Sequence, residues 1–149
     1  MADITIALAE DWIEDDTGKK YKLTPPNYNT HRAYTTYLEQ MALEAIQRNK
    51  KSLGREYQET RSGWATACAR GDYEWGGRAC AESFDSTERV KEFCFLTMCQ
   101  SNENLPRQEF ERIWSLPDKF KNPETGEEED GIKGHNIWIK ILGFLKRPN

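Results

Sequence analysis

The strongest pattern in the chain is helical and lies between Thr30 and about Lys51. Apolar side chains recur there at every third or fourth position, at Ala33, Tyr34, Tyr37, Leu38, Met41, Ala42, Ala45 and Ile46. Side chains with this spacing share one face of an α-helix. We therefore predict a long amphipathic helix, which either continues past Ser52 or breaks there before a second periodic segment that contains Trp64.

Shorter periodic segments predict further helices in the rest of the chain. They lie at 78–84, at about 86–100, in the stretch RQEFERIW after Pro106, and at 135–147. A proline in the first turn of a helix removes no helical hydrogen bond, which suits Pro106. Residues 30–116 are therefore predicted to form a helical core, and 135–147 a strongly apolar C-terminal helix.

Strand patterns are confined to the N-terminus and predict a small β-hairpin over residues 4–24. The stretch ITIALA is apolar and β-branched, Lys20 to Leu23 alternate in polarity, and EDDTGKK between them suits a turn. A lone hairpin is only marginally stable in water. We therefore expect it to pack on the helices or to pair with a partner chain.

Residues 117–134 show neither helical nor strand periodicity. They contain proline, glycine and an acidic run at 127–130, and are predicted to form an acidic flexible loop without a partner. The elements together predict a mainly α fold: a single domain over 1–149, with four to six helices and a small N-terminal β-hairpin.

The charge balance narrows the class of partner. The net charge is −4, whereas nucleic-acid-binding proteins usually carry a basic surface, so nucleic acid is not an expected partner. No run of 18 apolar residues occurs, and the N-terminus has no basic start. We therefore expect no membrane span, no secretory signal and a cytoplasmic location.

No residue pattern predicts a catalytic site, a metal site or a cofactor. The cysteines follow the spacing C-x11-C-x13-C-x4-C, which is not a zinc spacing and indicates buried thiols. His31 and His135 lie in no metal-binding motif, and His31 is expected on the surface. The acids at 14–16, at 127–130 and at Asp72 with Glu74 lie in predicted turns, where water should keep their pKa values ordinary. We expect a protein that is not an enzyme.

The candidate functional residues are aromatic and lie in the stretch GDYEWGG at 71–77. Gly71 is placed to end the preceding helix, and Gly76 and Gly77 let the chain turn. Tyr73 and Trp75 flank this turn. They either close the end of a helical bundle or stand exposed as anchors of a protein-binding surface, and the sequence leaves both interpretations open.

Three segments follow one another in a distinctive order over residues 18–116. GKKYKLTPP precedes the long helix, ARGDYEWGG forms the corner after the second, and ESFDSTERVKEFCFLTMCQSNENLPRQEFERIW completes the core. This order resembles that of the tail assembly chaperones of long-tailed bacteriophages. The resemblance implies a non-enzymatic helical protein of the host cytoplasm that binds the tape measure protein, helps to recruit tail tube subunits and self-associates.

Two other classes of phage protein stay open. A structural subunit of the virion, such as a head–tail or tail completion protein, could use the N-terminal hairpin to pair with neighbouring chains. A small inhibitor of a host enzyme or defence system could use its acidic surface to mimic nucleic acid.

Overall fold

The computed structural model describes residues 10–146, of which most are helical. The helices are α1 (Tyr28–Arg48), α2 (Lys50–Leu53), α3 (Tyr57–Ala69), α4 (Arg78–Ser83), α5 (Thr87–Ser101), α6 (Arg107–Trp114) and α7 (Lys133–Leu145), with a 3₁₀ turn at Gly54–Glu56. The strands are β1 (Asp11–Glu14), β2 (Lys20–Leu23), β3 (Pro117–Lys121) and β4 (Glu128–Ile132). With 61% helix and an N-terminal antiparallel hairpin, the predicted fold class is confirmed.

The chain divides into two compact units. The chain-end unit contains the chain up to Asn27 and from Val90 onwards, and the central unit is Tyr28–Arg89. A single domain over 1–149 stays a prediction. The strand predicted at 4–9, and Arg147 at the end of the predicted C-terminal helix, lie outside the described residues.

In the chain-end unit, the N-terminal hairpin packs on the helices. β1 and β2 are antiparallel, with Asp11 opposite Leu23. The Lys22 backbone N–H donates to Asn102 Oδ1 at 3.1 Å, and Asn102 Nδ2 donates to the Lys22 carbonyl at 2.8 Å. Leu23 is fully buried, as are Phe93 of α5 and Phe110 of α6. The Asn102 side chain thus satisfies the backbone N–H and C=O groups of Lys22 on the edge of β2 that faces away from β1.

Asp15, in the turn of this hairpin, corrects the expectation of solvated acids with ordinary pKa values. Its carboxylate is buried and accepts hydrogen bonds from the Thr17 hydroxyl at 2.7 Å and from the backbone N–H groups of Thr17 and Lys19 at 2.9 Å. Arg112 of α6 donates to it as well, at 2.9 Å. These hydrogen bonds, the Thr17 hydroxyl first, lower the pKa of Asp15 to about 2.

Residues 117–134, predicted to be a flexible acidic loop, instead contain a second antiparallel hairpin. β3 and β4 pair with Lys119 opposite Asp130 and Lys121 opposite Glu128. Opposite charges facing each other across two strands stabilise the pairing. The connecting turn passes through Gly126 at φ +74°, a conformation that glycine adopts without strain. A search for apolar periodicity does not detect opposite charges in cross-strand register, which is why the sequence does not predict this hairpin.

In the central unit, α1 packs on α3 and reaches α4 through buried side chains. Tyr34 and Leu38 of α1 are buried, and the Tyr34 hydroxyl lies 2.7 Å from Ser83 Oγ at the end of α4. From α3, Trp64 Nε1 donates to the Glu39 carbonyl at 2.9 Å. The predicted amphipathic helix is therefore present, and it breaks after Arg48 rather than continuing into α3.

Candidate functional site

The loop between α3 and α4 begins with a Schellman motif at Gly71, as the sequence predicts. Gly71 has φ +80°, its N–H donates to the Cys68 carbonyl at 3.1 Å, and the Asp72 N–H donates to the Ala67 carbonyl at 3.1 Å. At Gly77, an added Cβ would lie 2.4 Å from the Gly71 carbonyl oxygen and 2.5 Å from that of Asp72. The backbone approaches so closely at this point that only glycine fits.

Asp72 holds the loop by both its side chain and its backbone. Arg70 donates two hydrogen bonds to the carboxylate, at 3.0 and 2.6 Å, and the Arg70 contact lowers the pKa of Asp72. The Asp72 carbonyl accepts from the N–H groups of Ala79 and Cys80 in α4, at 2.9 and 3.2 Å. Asp72 is therefore not the solvated turn acid with an ordinary pKa that the sequence predicts, but a structural residue that fixes the loop.

The loop places the ring of Trp75 face to face on that of His31. The two ring centroids are 4.0 Å apart and the planes differ by 4°. Phe84 contacts Trp75 edge-on, with the centroids 5.8 Å apart. Trp75 nevertheless stays 39% exposed. It thus combines both interpretations of the sequence, since one face of the ring packs on the bundle while part of the residue is exposed.

His31 is not the simple surface residue that the sequence predicts. Its ring is half-buried beneath Trp75, and its Nε2 atom is buried without a hydrogen-bond partner among residues 10–146. Burial lowers the pKa of His31, because desolvation disfavours the charged imidazolium. His31 is therefore a neutral platform for Trp75 at physiological pH.

A groove of about 500 Å³ opens beside Trp75, and is called the Trp75 groove below. One wall is a stripe of α1, formed by Tyr28, His31, Arg32, Thr35, Thr36 and Glu39. The other wall is the loop, through Glu74 and Trp75. Tyr28, at 71% exposure, is the most exposed aromatic of the groove. The groove therefore joins exposed aromatic surface to charged and hydroxyl groups.

Tyr73 lies apart from Trp75, although both are predicted binding residues. It is half-buried and lines a smaller cavity of about 210 Å³ with Leu38, Ala42, Ala79, Glu82, Ser83 and Arg89. Burial, followed by nearby acidic groups, raises the pKa of the Tyr73 hydroxyl. This placement favours the bundle-closing role for Tyr73, and leaves Trp75 as the candidate anchor.

Sequence reasoning also missed several residues as part of this groove, among them Tyr28, Arg32, Glu39 and Glu74. Glu39 and Tyr28 belong to a polar stripe of α1 that apolar periodicity does not detect. Their spacing of eleven residues, three helical turns, is the signal that could have placed them on one face. Sequence reasoning assigns Glu74 only to a solvated acid pair, because its proximity to α1 depends on the tertiary fold.

The cysteines and histidines offer little nucleophilic or metal-binding chemistry. All four cysteines are free thiols, and burial raises the pKa of each, that of Cys68 to about 11, which disfavours the reactive thiolate. His135 packs against Phe120, with ring centroids 4.3 Å apart. Among the described residues, no three His, Cys, Asp or Glu side chains come together as a metal site would require.

None of the helices in residues 10–146 combines the length and apolar character that a membrane span requires. Comparisons of the chain with models of protein families, with curated proteins and with solved structures found no match.

Proposed function

We propose that this chain is a non-enzymatic binding protein that holds a segment of a partner protein in the Trp75 groove. The observation that carries the proposal is Trp75 itself, fixed on His31 at 4.0 Å yet 39% exposed. Tryptophan and tyrosine are enriched among the residues that dominate binding energies. An aromatic side chain that is ordered before binding also loses little conformational entropy when a partner arrives.

The biological setting that we propose is tail assembly in a long-tailed bacteriophage, with the chain acting as a tail assembly chaperone in the host cytoplasm. The order of segments over residues 18–116 supports this setting. The aromatic groove could hold a partner segment by apolar contact, while the net charge of −4 keeps the complex soluble. The proposed partners are tape measure and tail tube proteins, with self-association of the chain.

A pull-down with a matched pair of tryptophan variants tests this function. The tagged chain is expressed during infection, and the bound proteins are identified and quantified by mass spectrometry. We expect tape measure or tail tube proteins to be recovered, and Trp75→Ala to lower their recovery by roughly tenfold or more, as for a binding hot spot. Trp12→Ala is the matched control, because Trp12 is also exposed, at 46%, but lies on β1.

Thermal unfolding separates loss of binding from loss of fold. Since part of the Trp75 ring is exposed, we expect Trp75→Ala to lower the melting temperature by only a few degrees, about 1 kcal/mol of unfolding free energy. A large fall would assign Trp75 to closing the bundle instead. Equal recovery of tail proteins by the Trp75→Ala and Trp12→Ala variants would mean that the partner does not bind in the Trp75 groove.

A structural subunit of the virion is the second candidate, and the sheets favour it. Each described sheet has two strands, and no other strand of residues 10–146 covers the outer edges of β1 and β4. Such an edge can accept a strand from a neighbouring subunit. Mass spectrometry of purified particles distinguishes the two functions, because an assembly chaperone is absent from the finished particle.

A further inference from the structure

The Trp75 groove carries opposite charges at different levels of α1. Arg32 lies near Tyr28, with its guanidinium 5.9 Å from the centre of the Tyr28 ring and 3.5 Å from the hydroxyl. Glu39 follows Arg32 by seven residues, which is two helical turns or roughly 10 Å along the axis. Arg32 therefore lies toward the Tyr28 end of the groove, and Glu39 lies at the other end.

The two acidic residues of the groove are held in place by neutral groups. The Glu39 carboxylate lies near the Cys68 thiol and helps to raise the pKa of that thiol, and the Glu39 carbonyl accepts from Trp64 Nε1 at 2.9 Å. Glu74 directly precedes Trp75, and its N–H donates to the Gly71 carbonyl at 3.1 Å. Within residues 10–146, neither carboxylate has an ion-pair partner. Two carboxylates without an ion-pair partner among these residues thus line the same groove as the exposed part of the Trp75 ring.

We propose that the Trp75 groove binds a basic segment of its partner protein, with one Arg or Lys side chain placed between Glu39, Glu74 and the Trp75 ring. This inference rests on the proposed binding function and specifies the chemistry of the partner. A guanidinium is attracted to the face of a tryptophan ring and pairs with carboxylates in two-point contacts. Arginine therefore fits this end of the groove better than lysine does.

The length of the groove sets the length of the segment. Tyr28 and Glu39 are eleven residues apart on α1, which corresponds to roughly 16 Å. An extended peptide of five residues spans roughly 17 Å. Because Arg32 repels a second cation, the basic side chain is placed toward Glu39, with uncharged residues beside Tyr28 and Arg32.

A pair of peptides that differ in one charge tests the inference. The probes are acetyl-Ala-Leu-Arg-Leu-Ala-amide and the same peptide with citrulline, an uncharged analogue of arginine of nearly equal shape. Each is titrated into the ¹⁵N-labelled full chain, and binding is measured from the amide shifts of α1 and of the 71–77 loop. We expect the arginine peptide to bind roughly fivefold more tightly, as one cation–π contact and one exposed ion pair allow.

Glutamine variants show whether the two carboxylates cause this preference. Glu39→Gln and Glu74→Gln should each reduce the difference between the two peptides, and the double variant should abolish it. Glu44→Gln is the matched control, because Glu44 is an exposed acid on α1 that does not line the groove. Thermal unfolding of each variant confirms that the fold is retained.

The outcomes separate this inference from the function on which it rests. Equal binding of the two peptides, or an unchanged preference in the double variant, overturns the basic segment but leaves a groove that binds protein. Absence of shifts in α1 and the loop with both peptides overturns the inference. Loss of tail-protein recovery in the Trp75→Ala pull-down would then still support the binding function.

Discussion

At the scale of single residues, His31 lowers the stability of the fold but holds the Trp75 ring in a fixed position. In the part of the chain that the structure describes, the buried Nε2 atom of His31 has no hydrogen-bond partner, which costs roughly 1–3 kcal/mol. The stacking of Trp75 on His31 and its edge contact with Phe84 offset this cost and keep Trp75 at the mouth of the groove.

Replacing His31 with phenylalanine should consequently stabilise the protein. His31→Phe keeps a ring beneath Trp75 and removes the unpaired nitrogen, so we expect the free energy of unfolding to rise by about 1 kcal/mol. Chemical denaturation followed by circular dichroism measures this change, and His31→Ala, which removes the platform, should destabilise the protein. A loss of stability in His31→Phe would mean that Nε2 is satisfied in solution.

At the scale of elements, the sequence predicts best where the signal is local. The apolar stripe of α1 and the αL glycine at Gly71 follow from short-range spacing and backbone geometry, and the structure contains both. The β3–β4 hairpin escapes prediction because Lys119 and Lys121 on one strand find their acidic partners only when the strands pair. The groove escapes for the same reason, since Glu39 and Trp75 are far apart in sequence. Trp75 itself is predictable because an aromatic residue in a glycine-rich turn is conspicuous.

The 71–77 loop determines where Trp75 lies. We therefore expect Gly77→Ala, which should open the loop, to displace Trp75. The new Cβ would come within 2.5 Å of two backbone oxygens that cannot yield without opening the loop. We expect a loss of about 1–3 kcal/mol in unfolding free energy, measured by denaturation. Peptide-induced amide shifts at His31 should also be lost, because Trp75 leaves its platform.

Gly63→Ala provides the matched control for this prediction. Gly63 lies in α3, and nothing stands within 4 Å of an added Cβ there. Alanine should stabilise the helix by about 0.5–1 kcal/mol and leave the peptide-induced shifts intact. Retained binding in Gly77→Ala would show that the loop does not fix Trp75.

At the scale of the whole molecule, two groups of acidic side chains differ in their partners. In the chain-end unit, Arg112 donates hydrogen bonds to Asp15, Asp16 and Glu109 and joins the hairpin turn to α6. The Arg112 contact lowers the pKa of Glu109, just as the Thr17 contacts lower that of Asp15. In the central unit, by contrast, Glu39 and Glu74 face the groove without ion-pair partners among the described residues. The acids around Arg112 stabilise the fold, whereas Glu39 and Glu74 are the acids that we propose for binding the partner.

Acid should therefore destabilise the protein through Asp15. Its pKa is about 2 in the folded chain and about 3.9 in an unfolded one. A carboxylate whose pKa is lowered by folding contributes stability above about pH 4, and this contribution is lost as the pH falls toward 2.

Asp15→Asn should have a lower melting temperature than the unmodified chain at pH 7, and the difference should shrink between about pH 4 and pH 2. Melting curves across this range measure it, with Glu14→Gln, exposed in the same hairpin, as the control. A difference that stays constant with pH would show that Asp15 acts by its shape rather than by its charge.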